Sequence, residues 1–497
     1  MLKENKVGNY SFEDKLNMTA GRGHGIMTGE EYLESLRDGR EVWVHGKKVD
    51  DVTKHPAFKR VAREMARIYE QQHNPDLQDK MSFINDDGVR VSYSYSLPKN
   101  YDDLIKRRDN TAIWAKESLG MFGRFPDFCA AIIVGMYDAR DEMAKIDPRY
   151  KANIENYLKY AAENDLSLSH GLHDPAMDKS KRPKEDPDRC MRIVEEREDG
   201  IIVRGARFVT LGPLTDEVVI APTQTLQEDE PEFGLWFAMP VCAPGIKQIC
   251  REPFSINRDV RDHPLSTRFD EQDVVMIFDD VFVPWERVFL ANAPKEANML
   301  FRSRVMKWAA HCSVLQLLER LELMIGVSHL MIETEGKAGR QLIEMELGEL
   351  VTYKEIFRSI IRTAEVEGSL TQGGHFAIKP APHLRAFIGM VSERLVSIIE
   401  HVTTSAPIFV PSAEDMDAPE LRPLIDRYWR GKGVDAGYRQ RLCKLAWELT
   451  GDSFGGRQQL YERLHSGSPE VIVASVYKMY DKSDAIALVD AALAYEG

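Results

Sequence analysis

Gly123-Arg124-Phe125-Pro126-Asp127-Phe128 sets a guanidinium on a stretch that glycine and proline keep out of a regular helix. A permanent cation on such a turn suits an anionic oxygen, held by charge-assisted hydrogen bonds. It equally suits helix capping or a structural ion pair. Ser169-His170 adds an imidazole, which titrates near neutral pH and can take or return a proton; the alternative is a satisfied, partly buried histidine. His170 and His173 have a spacing that raises metal ligation, but no Cys or carboxylate completes a set at familiar spacing, so no metal is expected. A third imidazole, His311 in Trp308-Ala309-Ala310-His311, opens a C-terminal helical stretch, with Gln316 and Arg320 following near helical spacing.

The elements that must position these groups fall into three regimes. From about residue 28 to 165 the pattern is helical. Thr28-Gly29-Glu30-Glu31 reads as a capping box ahead of Tyr32 and Leu33. Ile113, Trp114, Leu119 and Met121 fit one helix, and Phe128, Ala131, Ile132, Gly135 and Met136 another. Arg124 lies between them, at a turn or a helix start. From about 168 to 292 the texture is that of strands: 201–206, 217–221, 235–240 and 273–278 are β-rich runs bounded by Gly, Pro or acidic turns. Asp199-Gly200 is a hairpin signal. Residues 179–189, of mixed charge with two prolines, read as a solvated loop. Strands without intervening helices point to a sandwich or barrel. From about 293 long amphipathic helices return, over 304–325, 342–368, 382–403, 434–449 and 474–495. The expected division is 1–165, a helical domain; 166–292, a β domain; 293–497, a helical bundle.

Composition narrows the function classes. A chain of 497 residues exceeds one usual core, and 43% hydrophobic with 29% charged residues is ordinary for a globular protein. A net charge of −14 argues against general nucleic-acid binding, which needs clustered Lys and Arg. No apolar run approaches the ~20 residues that span a bilayer. The polar N-terminus lacks an apolar signal region, and the six scattered cysteines read as reduced thiols, so a cytoplasmic location is expected. There is no G-x-G-x-x-G after a strand, no P-loop, no G-x-S-x-G and no H-E-x-x-H.

Taken in order, Gly123 to Phe128, Ser169-His170, Asp174-Pro175-Ala176-Met177-Asp178, Thr210-Leu211-Gly212-Pro213-Leu214-Thr215-Asp216-Glu217, Phe278 to Arg287 and Phe454 to Arg463 resemble the 4-hydroxyphenylacetate 3-hydroxylase family, from about residue 25 to about 480. The resemblance implies an α+β, acyl-CoA dehydrogenase-like fold and the oxygenase component of a two-component monooxygenase. Such an enzyme takes FADH2 from a separate NAD(P)H:flavin reductase. It uses O2 to hydroxylate a phenol through a flavin C4a-hydroperoxide. The missing nicotinamide-binding unit agrees with that division of labour. By the same resemblance Arg124 and His170 line the substrate pocket. The tyrosine of the family's R-S-P-D-Y-like turn is Phe128, so any contact made by that hydroxyl is lost or replaced, and the particular phenol stays open. His311 is implied to assist flavin chemistry, as a histidine on a comparable helix does in the chlorophenol and nitrophenol branch.

Asp174, Met177, Thr210 and Leu211 are implied flavin contacts; Gly455 and Arg457 are candidates for a phosphate or an acidic group of a neighbouring subunit. The alternatives are ordinary turn chemistry at Thr210, a tight helix–helix turn at Gly455, and a structural or solvated acidic pair at Asp279-Asp280. The architecture implies a homotetramer, or failing that a dimer. Two other readings use the same fold. An acyl-CoA dehydrogenase needs a catalytic carboxylate facing the flavin. A 4-hydroxybutyryl-CoA dehydratase needs several converging cysteines for an iron–sulfur cluster, and the N-terminal helical region offers only Cys129. A helical assembly protein that has lost flavin is the non-enzymatic alternative.

Overall fold

Capping chemistry starts the N-terminal helices. In the computed structural model, which describes residues 12–16, 18, 25–175, 178–464 and 467–494, Thr28 Oγ1 accepts from the Glu31 amide at 3.2 Å and Glu31 accepts from the Thr28 amide at 2.8 Å. This reciprocal pair opens the helix Gly29–Ser35. Asn100 caps Tyr101–Glu117, and Asp147 with Pro148 at the first position opens Pro148–Glu163. Between the last two runs Asp127–Asp138, in which every residue but Tyr137 is buried, as a helix apolar all round must be.

The same N-terminal stretch, read as helical, also contributes two hairpins. Val42–Val44 and Lys47–Val49 turn through His45 and Gly46, both at positive φ (50° and 72°), and Ser82–Ile84 pairs with Arg90–Ser92. Three-residue strands carry too little alternation to be legible beforehand; their pairing partner supplies the stability. That partner is distant, since Val42–Val44 runs parallel to Ile246–Cys250.

The β region forms two sheets. One has the order Lys47–Val49, Val42–Val44, Ile246–Cys250, Asp273–Pro284, Gly200–Thr210, Arg192–Glu196; the other, Val288–Leu290, Trp236–Pro240, Glu217–Ile220, Leu168–Gly171. All four β-rich runs are strands, and 192–196 and 200–210 form the hairpin expected at Asp199-Gly200. In the smaller sheet Leu168–Gly171 pairs parallel with Glu217–Ile220, which sets His170 opposite Val219.

The C-terminal helices are Met306–Thr334, Gln341–Val366, Pro382–Thr403, Ala436–Leu449 and Ser453–Leu464. Helix–sheet–helix order is thus the observed one. The terminal helix expected over 474–495 is instead two, Pro469–Met479 and Ser483–Leu493. The break has a local cause: Asp481 accepts from the Ser483 amide at 3.0 Å, and Lys482 Nζ donates to the carbonyls of Tyr477 and Tyr480 at 3.0 Å each.

Two large hydrophobic cores result, beside a small cluster of Cys190, Leu226 and Phe233. One gathers the Asp127 and Pro148 helices with both sheets; the other joins the Gly29 helix and the helix Lys59–Glu70 to the C-terminal bundle. Phe122 and Phe125 belong to the second and Phe128 to the first, so the Arg124 turn crosses the seam between them. Among the described residues no helix is long and apolar enough to cross a membrane.

Candidate functional site

The turn that carries Arg124 is anchored at both ends. Gly120, at φ +66°, lies so close to the Met306 helix that a Cβ there would be 2.5 Å from the Arg320 amide nitrogen. Arg320 donates back to the Gly120 carbonyl from Nε at 3.3 Å and Nη2 at 3.1 Å. At the other end Asp127 accepts from Gln316 of that helix at 3.2 Å. Arg124 itself is 5% exposed. Its guanidinium lies 4.1 Å from the Phe128 ring centroid on one side and 4.9 Å from that of Tyr461 on another. Among the described residues its side chain makes one hydrogen bond, to the neighbouring Gly123 carbonyl at 2.6 Å, and its Nε is buried without a partner. Among the described residues no carboxylate comes within ion-pair distance of it. Buried guanidinium groups are ordinarily paired, and this one is not.

His170 has the matching deficit. Its ring centroid is 5.4 Å from that of Phe128, and both ring nitrogens are buried without a hydrogen-bond partner. Burial first, then the charges of Arg124 and His173, hold its pKa well below the usual imidazole value. At neutral pH it is an uncharged base beside a cation. His173 does not share this state, because its Nδ1 meets Thr223 Oγ1 at 3.0 Å. The structure therefore brings Arg124, Phe128 and His170 together.

Thr210 ends the strand Gly200–Thr210, directly across from Asp273, and its Oγ1 donates to Asp273 Oδ1 at 2.9 Å. Leu211 is buried in the left-handed region at φ 64°, which turns the chain away from the sheet. Arg457, in the first turns of Ser453–Leu464 and not ahead of the helix, reaches the same aspartate. Its Nε donates to Asp273 Oδ2 at 2.9 Å and its Nη1 to Glu271 Oε2 at 2.9 Å. Burial pushes the Asp273 carboxyl up, but Arg457 and Arg251 outweigh it and hold it at about 2. Its acidic partners are thus in its own chain.

The remaining candidates go elsewhere. His311 Nε2 lies 2.9 Å from Oε1 of the buried Glu365, whose other oxygen meets Arg108 at 3.5 Å and the exposed Arg362 at 3.1 Å; this histidine is paired and lies outside the Arg124 group. Gly455 allows its helix to close on the preceding one, since a Cβ there would be 2.7 Å from the Glu448 carbonyl. Asp174 forms a 2.7 Å ion pair with the fully buried Arg207, without hydrogen-bond geometry, and accepts from the Met191 amide at 3.1 Å. Met177 lies outside the described residues. Asp280 pairs twice with Arg204 at 2.7 Å and is structural.

The metal-ligand spacing singled out at His170 and His173 gathers no third ligand among the described residues; the one such grouping is His263, Glu448 and Asp452. Glu448 there accepts from the Ser266 amide at 3.1 Å, and Arg258 bonds Asp452 at 3.1 Å.

Three residues of the site were missed by sequence reasoning: Tyr461, Glu271 and Asp273. A signal existed for each. Arg457 and Tyr461 are four apart and so share a helix face; Glu271 and Asp273 are two apart at the start of a strand.

Family models decide the kinship. That for 4-hydroxyphenylacetate 3-hydroxylase N terminal matches residues 28–290, and that for 4-hydroxyphenylacetate 3-hydroxylase C terminal matches 297–494. The chain belongs to the 4-hydroxyphenylacetate 3-hydroxylase family. It is 36% identical over 467 residues to the 4-hydroxyphenylacetate 3-monooxygenase oxygenase component of Geobacillus sp. (strain PA-9), covering 92% of this chain and 94% of that one. To the 4-nitrophenol 2-monooxygenase oxygenase component of Rhodococcus sp it is 36% identical over 459 residues, covering 90% and 87%.

Among solved structures it matches the oxygenase component of 4-hydroxyphenylacetate 3-monooxygenase complexed with FAD and 4-hydroxyphenylacetate. There the TM-score is 0.89 at 33% identity, over 94% of this chain and 98% of that chain. The fold is therefore the acyl-CoA dehydrogenase-like one of this family.

Proposed function

We propose that Arg124, Phe128 and His170 receive the hydroxyl-bearing end of a para-substituted phenol in this flavin-dependent hydroxylase. As a family member the chain is the oxygenase component of a two-component monooxygenase, with FAD as cofactor, O2 as co-substrate and a separate reductase as flavin supplier. The acyl-CoA dehydrogenase and dehydratase readings lose their ground on this kinship.

One observation supports the site most directly: a buried cation without a carboxylate and a buried imidazole with two empty nitrogens share the Phe128 ring. A phenolic oxygen satisfies both. Arg124 stabilises negative charge on that oxygen, and neutral His170 takes its proton at one of the two unpartnered nitrogens. Phe128 supplies an apolar wall that keeps water away from the pair. Because Phe128 has no hydroxyl, the oxygen is held by Arg124 and His170 without a third donor from that position.

Reduced FAD supplies, when bound, the electrons that activate O2 for transfer to the ring. Residues suited to hold it flank the pocket on the β side: Thr210 and Leu211 at the strand end, and Asp174 with Arg207, whose nitrogens lack hydrogen bonds despite full burial. Such unsatisfied donors fit a cofactor rich in acceptor atoms.

The chain acts as a homotetramer in the cytoplasm, where NAD(P)H-dependent reductases operate. Apolar side chains of the C-terminal helices support assembly: Leu488 is 74% and Leu493 77% exposed, more than a lone chain ordinarily leaves to water. Titration with oxidised and chemically reduced FAD, followed by one turnover with 4-hydroxyphenylacetate or 4-nitrophenol, tests the reading. Preference for the reduced form and a dihydroxylated product are expected. Equal binding of both forms, with no product from either phenol, refutes it. Light scattering that shows a monomer at micromolar concentration refutes the assembly.

A further inference from the structure

Gly123 is held through both of the peptides that flank its Cα. Its carbonyl accepts from Arg124 Nη1, and its amide donates to Glu271 Oε1 at 2.8 Å. Glu271 is 1% exposed, and its other oxygen takes Arg457 Nη1 at 2.9 Å. Tyr461 completes the arrangement, with its ring between the two guanidinium groups, 4.9 Å from Arg124 and 4.3 Å from Arg457. Three separate parts of the chain therefore meet around one residue, Gly123: the Arg124 turn, the edge of the strand Asp273–Pro284, and the helix Ser453–Leu464.

We propose that Glu271 is a positioning residue for the hydroxylation, which with Arg457 and Tyr461 sets the aim of Arg124. The inference rests on the reading of Arg124 as the phenol-binding cation. Glu271 holds the Phe122–Gly123 peptide through the Gly123 amide, and so places the Cα from which the Gly123–Arg124 peptide and the Arg124 side chain extend. Electrostatics give the same residue a second task. Asp270, Glu271 and Asp273 face Arg251, Arg457 and Arg124, three carboxylates to three guanidinium groups. Arg251 and Arg457 use the direct ion pairs. Arg124 is balanced through space by Glu271, so its charge is offset while its donors stay open to substrate. A carboxylate in contact with Arg124 would balance it equally well and close the site.

The clamp also reaches the cofactor side. Arg457 and Thr210 share Asp273, so a continuous chain of contacts runs Thr210–Asp273–Arg457–Glu271–Gly123–Arg124. Misplacement of a reacting group by about 1 Å can cost 10²-fold, which is the scale at which a tether of this kind matters.

Glu271→Ala, Glu271→Gln and Arg457→Lys test the proposal through three readouts: 4-nitrophenol affinity of the flavin-free protein, product formed per FADH2 consumed, and hydrogen exchange across 119–128. Glu271→Ala is expected to speed exchange in that segment, to weaken the phenol roughly tenfold and to lower the product ratio by a similar factor. Glu271→Gln keeps an acceptor for the Gly123 amide but not the charge, and is expected to restore exchange protection and only part of the product ratio. Arg457→Lys, with a point charge in place of the fork, is expected to fall between.

Wild-type phenol affinity and product ratio in Glu271→Ala, whatever its melting temperature, would overturn the proposal by reducing Glu271 to a structural acid. Should that variant fail to fold, wild-type exchange and product ratio in Arg457→Lys would overturn it instead. A wild-type enzyme that hydroxylates no phenol refutes the proposed function, whereas phenol affinity and exchange still report on the clamp.

Discussion

His170 and His311 are both buried imidazoles within reach of buried charge, and they differ in what meets the ring. His311 has Glu365 at 2.9 Å, with Arg108 and Arg362 behind it. His170 has an aromatic ring, a guanidinium that repels its proton, and two nitrogens without a partner. A buried polar group left unsatisfied costs roughly 1–3 kcal/mol. On the function proposed above, the satisfied histidine serves stability and the unsatisfied one serves binding. Residue type is common to both, and although His170 is only partly buried as a residue its ring nitrogens are shut off from water, so the difference that matters lies in the partner.

The largest effect expected from this contrast is on chemistry at His170. His170→Ala should reduce product formation ~10²–10⁴-fold while reduced-flavin binding stays close to wild type; rapid single-turnover measurement with FADH2 checks both. Comparable rates in the variant would place the base elsewhere. His311→Ala should act on the other quantity. It removes one hydrogen bond from a Glu365 that keeps its arginine partners, a loss of roughly 1.5–3 kcal/mol of stability, readable by denaturant unfolding. Product per FADH2 in the folded fraction should stay within about threefold of wild type. A large fall in that ratio without loss of stability would return His311 to the flavin.

Acidification separates the two regions by a smaller margin. The pKa of His170 is depressed in the folded protein, so below about pH 6.5 the unfolded chain binds a proton that the folded chain refuses. Stability therefore falls as pH drops below that value, by up to about 1.4 kcal/mol per pH unit from this group. His170→Phe should flatten that part of the curve between pH 6.5 and 5.5; an unchanged slope would mean that the ring is charged in the fold. The smallest effect is expected from Phe128→Tyr, which puts a hydroxyl at a ring 5.4 Å from His170. It should alter the preference between 4-hydroxyphenylacetate and 4-nitrophenol by roughly tenfold or less, the scale of one added hydrogen bond. Competition between the two phenols measures it, and identical ratios in both proteins would remove Phe128 from the substrate contact.

Much of the architecture was readable because it depends on short-range rules. Thr28 and Glu31 are three residues apart, Asp199-Gly200 is a two-residue signal, and the apolar repeats of the long helices recur every three to four residues. The three-residue strands at 42–44 and 47–49 escaped because parallel pairing to 246–250 gives them their place. The break at Tyr480-Asp481-Lys482 escaped because the side-chain bonds that end the helix compete with an unbroken apolar pattern. Arg124 and His170 stood out through residue type and turn chemistry. Glu271 did not, since its partner Gly123 lies 148 positions away.

The amino-acid sequence by itself determined the helix–strand–helix order, the turn that lifts Arg124 out of a helix, and the kinship of the whole chain. Those properties reside in neighbours along the chain, where spacing and backbone preference act directly. Tertiary structure alone decided which imidazole is paired, which arginine is balanced from a distance, and that Tyr461 stands between Arg124 and Arg457. The physical reason is that burial and pairing belong to groups brought together from distant parts of the chain, with 54 positions separating His311 from Glu365 and 148 separating Gly123 from Glu271. Each charged side chain takes its energy from the partners it meets there, and residue type states only which partners it can accept.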